Sequence, residues 1–324
     1  MTGLTGSIDV HSHAVLPIGQ GPPLDQLPEW SAEGTLSLMD ENGIAACLIS
    51  VPDAANHTEG QEACEIARRV NESLAEIVAR HPSRFGAMAT LPGRNIDGTL
   101  VEMAYALDIL KMDGVATSTS INDVYLGESG FDPWFDEMNR RAVSLFIHPM
   151  NARASRSLNL GLNVAILEFM FDTTRMLTNM VLSGSKKRHS NIKMISAHGG
   201  GTIPFLINRI QILETHFGPG RDRVPLTANE IREGLASFYY DLTASTSVAQ
   251  LSALLELVSA SQLLVGYDIP FMPSSSIAPA TADIQRFSRF DQNDLRMLTY
   301  ENASRLYPGL SSRMRNSKPA MLAG

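Results

Sequence analysis

Short apolar runs alternate along this chain with longer segments of helical periodicity. The runs predict strands at Ser7–His13, Ala45–Ser50, Arg84–Leu91, Gly114–Ser118, Ser144–His148, Lys193–His198, Phe238–Thr243 and Leu263–Asp268. The periodic segments predict helices over Ser31–Asn42, Glu59–His81, Ile96–Lys111, Pro133–Arg141, Val164–His189, Thr202–His216, Val248–Ser259 and Asp283–Leu306. Ser31 is placed to cap the first helix and Gly43 to stop it. Strict strand–helix alternation predicts a parallel sheet, and eight repeats fit a closed (β/α)8 TIM barrel, an α/β fold. The runner-up, an open doubly wound sheet, would carry a Gly-rich turn after its first strand. Here His13 is followed by Ala-Val-Leu-Pro.

The expected organisation is a single barrel over residues 1–310 and a flexible tail over 311–324 that could reach a neighbouring subunit. No internal repeat or low-complexity tract interrupts the chain. One connection stands out: Ala14–Trp30 holds Pro17, Gly19, Gly21, Pro22, Pro23 and Pro28. This Pro/Gly-rich loop follows strand one on the face where barrel enzymes carry their sites. A lid or pocket wall and an ordinary surface connection both fit it.

Four of the strands end on metal-ligand side chains, in IDVHSH, SLFIHP, MISAHGGG and LLVGYD. A parallel barrel gathers those C-terminal ends at one mouth. His11 and His13 are two apart, which on a regular strand puts both on one face, where two imidazoles can share a divalent ion. Asp9 would lie one step deeper on that face, better suited to orienting a histidine than to ligating. His148 ends strand five and His198 strand six, and the glycines at 199–201 would let the backbone pass close to a ligand. Asp268 ends strand eight; its competing role is a helix N-cap, with Pro270 just beyond. An all nitrogen-and-oxygen ligand set with an open position describes a catalytic metal, Zn2+ first and Mn2+ second. Of the other histidines, His57 follows strand two in a loop on the catalytic face and is a candidate substrate contact. His81 and His189 fall at helix ends, where solvent is expected, and His216 lies in a helical stretch away from any strand end.

Composition narrows the setting. The 324 residues are 44% hydrophobic and 19% charged, with a formal net charge of −8. No basic cluster exceeds Lys186-Lys187-Arg188, so nucleic acid is not an expected partner. The two cysteines, Cys47 and Cys64, read as buried thiols rather than a disulfide framework. Neither a signal peptide nor a membrane-length apolar run is recognisable, and the cytoplasm is the expected location.

At these motifs the chain resembles the amidohydrolase superfamily, and within it the aminocarboxymuconate-semialdehyde decarboxylase-like branch. IDVHSH, FIHP, AHGGG and Gly266–Phe271 match that branch in order, as do His81–Pro92, Phe131–Arg141 and Phe238–Thr243. The resemblance spans Ile8 to about Tyr307. Leu27–Trp30, Ala104–Val115 and Phe169–Arg175 look most like its 6-methylsalicylate decarboxylase-like members.

The resemblance implies roles. His11, His13, His148 and Asp268 would hold one divalent metal, with no organic cofactor. His198 would stand beside it, unligated, and act in catalysis with Asp268. Arg209 matches an arginine that crosses a dimer interface to the substrate carboxylate in some relatives, so a homodimer or higher oligomer is expected. Phe271 and Trp30 are the other expected substrate contacts. The chain departs from its relatives in three ways. It has no Lys or Arg before Arg68, which favours a substrate with one carboxylate; Tyr267 replaces a small residue, which could reshape the pocket; and His11 stands where several relatives carry Glu. The expected activity is non-oxidative decarboxylation of an aromatic acid such as a 2-hydroxybenzoate. Metal-dependent hydrolysis of a lactone, amide or ester is the alternative, because it needs the same ligands. A third possibility, a metal-binding protein with a dead site, is disfavoured by His198 and Asp268 standing beside the ligands.

Overall fold

The computed structural model describes residues 6–18, 27–56, 58–150, 160–220 and 223–317. Eight parallel strands form one sheet in the order β1 (Ser7–His13), β2 (Ile44–Ser50), β3 (Phe85–Ala89), β4 (Gly114–Ser118), β7 (Ser144–His148), β8 (Lys193–Ser196), β9 (Tyr239–Asp241) and β10 (Leu263–Leu264). The sheet closes on itself through single backbone bonds: Val10 N donates to Val265 O, Asp268 N to His11 O, and His13 N to Ile269 O. This is the expected TIM barrel, its last strand regular over only two residues.

Helices cover the outside. The helix Gly60–Arg80 buries Ala63, Ile66, Ala67, Val70, Leu74 and Ile77, one stripe at helical spacing that packs on the strands. Ser31 caps the helix Ala32–Asn42 by accepting from Gly34 N, and Gly43 stops it at φ 68°. Other elements differ from expectation. The segment 164–189 divides into Val164–Leu182 and Ser185–Arg188, because Gly184 turns left-handed between them. His189, expected in solvent, is buried, its Nε2 3.3 Å from Asp136. The predicted helix 283–306 is broken after Arg286, and Ala228–Ala236 forms a helix that the apolar pattern did not signal. A hairpin of β5 (Ser120–Ile121) and β6 (Val124–Tyr125) follows β4. Cys47 is buried as expected, but Cys64 is only half-buried.

The barrel interior is filled by Ile8, Val10, Ala46, Leu48, Met88, Ala116, Phe146, Ile195 and Leu264. Leu306, Tyr307 and Leu310 enter the same cluster from the end of the chain. They stopper the closed end, opposite the mouth. Ser144 Oγ donates to Leu306 O at 2.7 Å, and Arg313 reaches the buried Asp113 carboxylate at 2.8 and 3.2 Å. Where the tail was expected to begin, at Ser311, the chain is ordered: Pro308–Asn316 is helical, because Leu310 and Ser311 are buried under the strands. Residues 318–324 lie outside the described residues.

Arg313→Ala is expected to lower stability by about 2 kcal/mol, since it leaves the buried Asp113 carboxylate without its cation and with the Ala87 N–H as its remaining partner. Urea unfolding would check this, and an unchanged midpoint would show that the stopper needs no ionic clasp.

Candidate metal centre

Strict alternation along β1 would not build this site. Ile8 and Val10 both point into the barrel, so a regular strand would turn His11 and His13 outward. A register shift between Asp9 and Ser12 re-aims the strand, and both imidazoles reach the mouth. Asp9 falls on the other side of that shift. It accepts from the backbone N of His11 and Tyr267 and from Ser12 Oγ, and so ties β1 to the segment after β10 without orienting either imidazole. Burial raises its pKa to about 7 against those hydrogen bonds.

His148 is the last residue of β7. His198 and Asp268 lie beyond the ends of their strands, and each takes a positive φ, 53° and 55°, that turns the side chain over the mouth. Asp268 caps no helix; the next helical turn begins at Ser274. The glycines after His198 approach protein, not a ligand. A Cβ on Gly199 would meet Ser245, on Gly200 the Tyr240 ring, and on Gly201 the Met170 carbonyl.

Ligand atoms of His11, His13, His148 and Asp268 all lie within 4.8 Å of one another. His11 Nε2, His13 Nε2, His148 Nε2 and Asp268 Oδ1 are buried without a hydrogen-bond partner, although Asp268 Oδ1 lies at ion-pair distance, 3.1 and 3.4 Å, from the Nε2 atoms of His13 and His11. Leaving four such atoms unpaired is costly unless a cation meets them. The opposite ring nitrogens are held: His11 Nδ1 lies 2.9 Å from Asp241 and 3.1 Å from Thr243 Oγ1, and His13 Nδ1 3.2 Å from Ser50 Oγ. A proton kept on Nδ1 leaves Nε2 free to ligate. The residues therefore fit one divalent ion.

The electrostatics agree. Burial opposes a charged His11, but Asp241 and Asp268 outweigh it and raise its pKa to about 10. Burial also works against the Asp268 carboxylate, yet His11, His13 and His198 hold it well below the usual carboxylate range. His148 is pushed well below the usual imidazole range by burial and by the neighbouring imidazoles. The carboxylates thus favour a positive charge between them, while His148 is kept neutral, the form in which an imidazole ligates.

His198 Nε2 stands 3.6 Å from Asp268 Oδ2, while its Nδ1 is buried and unpartnered. Asp241 also accepts from the His198 backbone N at 3.2 Å, so one carboxylate fixes both His11 and His198. Asp241 was legible as the acidic end of the Phe238–Thr243 run, by the rule that found Asp268. Phe169 is a second omission. Its ring lies 5.7 Å from His148 and 6.5 Å from His198, across the site from Phe271, whose ring is 5.4 Å from His13.

The other expected contacts are more distant. Trp30 lines a neighbouring cleft with Leu27, Pro28, Ile269 and Met272, and no metal-site side chain lines that cleft. Tyr267 points away from the mouth, its hydroxyl 3.0 Å from Thr281 Oγ1, so it does not reshape the pocket wall directly. Arg209 is exposed on the helix Ile203–Phe217. His57 and residues 19–26 of the Pro/Gly-rich loop lie outside the described residues.

A family model for amidohydrolases matches residues 8–309. The chain belongs to the amidohydrolase family. This amidohydrolase is 30% identical to Decarboxylase yanB of Aspergillus niger, over 93% of its own length and 87% of the relative's. It is 29% identical to the 6-methylsalicylic acid decarboxylase acuB of Aspergillus aculeatus, over 96% and 99%. A dihydroxybenzoic acid decarboxylase from Polaromonas sp. JS666, solved with manganese and 2-nitroresorcinol, superposes with a TM-score of 0.82 at 20% identity, covering 94% of this chain and 97% of that one. That likeness supports the fold of this amidohydrolase, not its substrate.

Proposed function

We propose that the chain is a metal-dependent, non-oxidative decarboxylase of an aromatic acid with one carboxylate and an adjacent hydroxyl, of the 6-methylsalicylate type. The observation that carries this reading is the cluster of four unpartnered ligand atoms with His198 beside it, on a chain similar from end to end to decarboxylases. A divalent cation there would chelate carboxylate and hydroxyl and offset their charge. Zn2+ is our first assignment from the donor set and Mn2+ the second.

Phe169 and Phe271 flank the mouth as apolar walls for a ring. His198, with the Asp268 carboxylate beside it, is placed to deliver the proton that the carboxyl-bearing ring carbon takes up. That carbon becomes tetrahedral, the bond to the carboxylate breaks, and its electrons restore the ring as CO2 departs. The scarcity of early basic residues fits a single carboxylate.

A second copy of the chain is the proposed partner. Phe205, Arg209 and Ile212 form one exposed stripe, beside exposed Ile166 and Phe171 on the helix Val164–Leu182. Arg209 would reach the neighbouring mouth from that stripe. Among the described residues no helix is long and apolar enough to cross a membrane. Two unpaired cysteines accord with a reducing, cytoplasmic setting.

Substituted 2-hydroxybenzoates, supplied in D2O, are expected to release CO2 and give product deuterated at one ring carbon, with no uptake of 18O from labelled water. Inert hydroxybenzoates together with 18O-incorporating cleavage of lactones or amides would establish the hydrolase instead.

A further inference from the structure

His11 and His13 have side-chain partners on their outer ring nitrogens. The third imidazole, His148, is also fixed through its backbone, and the carboxylate responsible is Asp172, which the mechanism above does not use. Asp172 lies on the helix Val164–Leu182 and is 1% exposed. Its carboxylate gathers three segments. It accepts from Met150 N at 2.9 Å, from Tyr125 Oη at 2.7 Å and from Thr119 Oγ1. Met150 is two residues beyond His148. Thr119, one residue past β4, donates its own backbone N to the His148 carbonyl at 2.9 Å. The backbone is thus held at the His148 carbonyl by Thr119 N and, two residues on, by Asp172. Phe169, three residues earlier on the same helix, lies against the His148 ring.

We propose that Asp172 is the positioning residue for His148: it fixes the strand end from which that imidazole reaches the metal, and so sets metal affinity without touching the ion. An ionised carboxylate suits this task because it can accept from three donors at once, and a charged acceptor binds a backbone N–H more tightly than a neutral one. The same carboxylate anchors the β5–β6 hairpin through Tyr125, which makes the rim beside His148 one unit with the helix that carries Phe169. This inference rests on the metal-centre reading and not on the reaction catalysed.

The test is a double-mutant cycle on metal-free protein, with Zn2+ affinity read by competition against a chromophoric chelator. Asp172→Ala is expected to weaken Zn2+ binding by about 10- to 100-fold, the usual effect of losing a partner that orients a ligand. In a His148→Ala background the same change is expected to add less than about twofold, because its effect travels through His148. Equal fold-losses in the two backgrounds would overturn the proposal, as would unchanged affinity in the single variant. If Asp172→Ala does not yield folded protein, Asp172→Asn keeps the shape and removes the charge. It is then expected to weaken binding about threefold or more with the same non-additivity, and to shift the visible bands of the Co2+-loaded protein; unchanged affinity and bands would overturn the proposal equally. Wild-type protein that takes up no Zn2+ would refute the centre itself, a result distinct from any of these.

Discussion

Stripping the purified protein with a chelator is expected to reduce turnover to background, and about one equivalent of a divalent cation is expected to restore it. Four buried ligand atoms converge at the mouth with no hydrogen-bond partner beyond the cluster. In such a centre the ion is held by the ligands and the ligands are held apart by the ion. His11→Ala should therefore lose both metal and activity. The pH dependence has a definite sign. Without metal, Asp241 and Asp268 keep a proton on His11 up to about pH 10. Metal binding must expel that proton, so apparent affinity falls as pH is lowered, by about tenfold per pH unit while one proton is released. Affinity that is flat or rises on acidification would contradict the assignment of His11 as a ligand. Elemental analysis showing no metal, with activity indifferent to chelators, would remove the centre altogether.

The second large effect is expected at His198. His198→Ala should retain most of its metal and lose about 10²- to 10⁴-fold in turnover, the range for removing a positioned acid or base. Its Nε2 faces Asp268 Oδ2 at 3.6 Å, a neighbour's geometry, and its ring atoms are not among the four that converge. Metal content separates this from a ligand's role. Loss of metal equal to that of His11→Ala would move His198 into coordination and require a different route for the proton.

Much of the architecture was legible because each parallel strand leaves a local signature. All eight strands of the barrel fall where apolar runs predict them, and Gly114–Ser118 and Ser144–His148 agree to the residue. The ligands were legible for the same reason: a polar side chain at the end of such a run has nowhere to go but the mouth. What escaped the sequence depends on partners far along the chain. The shift in β1 is invisible locally, because the motif looks like simple alternation, and only the packing of Ile8 and Val10 reveals that His11 needs a bulge to arrive. Asp9 was misplaced on that account. Asp172 works through a contact 22 residues away in mid-helix, which no spacing rule reports, and although Asp241 sits in a readable run, its partner His11 is 230 residues away. The helix 228–236 was missed because its buried apolar residues, Ile231 and Leu235, make only a short stripe.

The stopper at the closed end bears on how the molecule is made. Leu306, Tyr307 and Leu310 follow the last strand in chain order, yet they fill the floor beneath the first. A nascent chain emerging from the ribosome can form every strand–helix unit of the wall before the floor exists. Until those residues emerge, Ile8, Leu48, Met88 and Phe146 remain open to water or to passing chaperones. Synthesis is vectorial, but completion of this barrel is a late and concerted event. A premature stop codon shortly after Phe271 would release a chain with all its catalytic side chains and no means of keeping its interior dry.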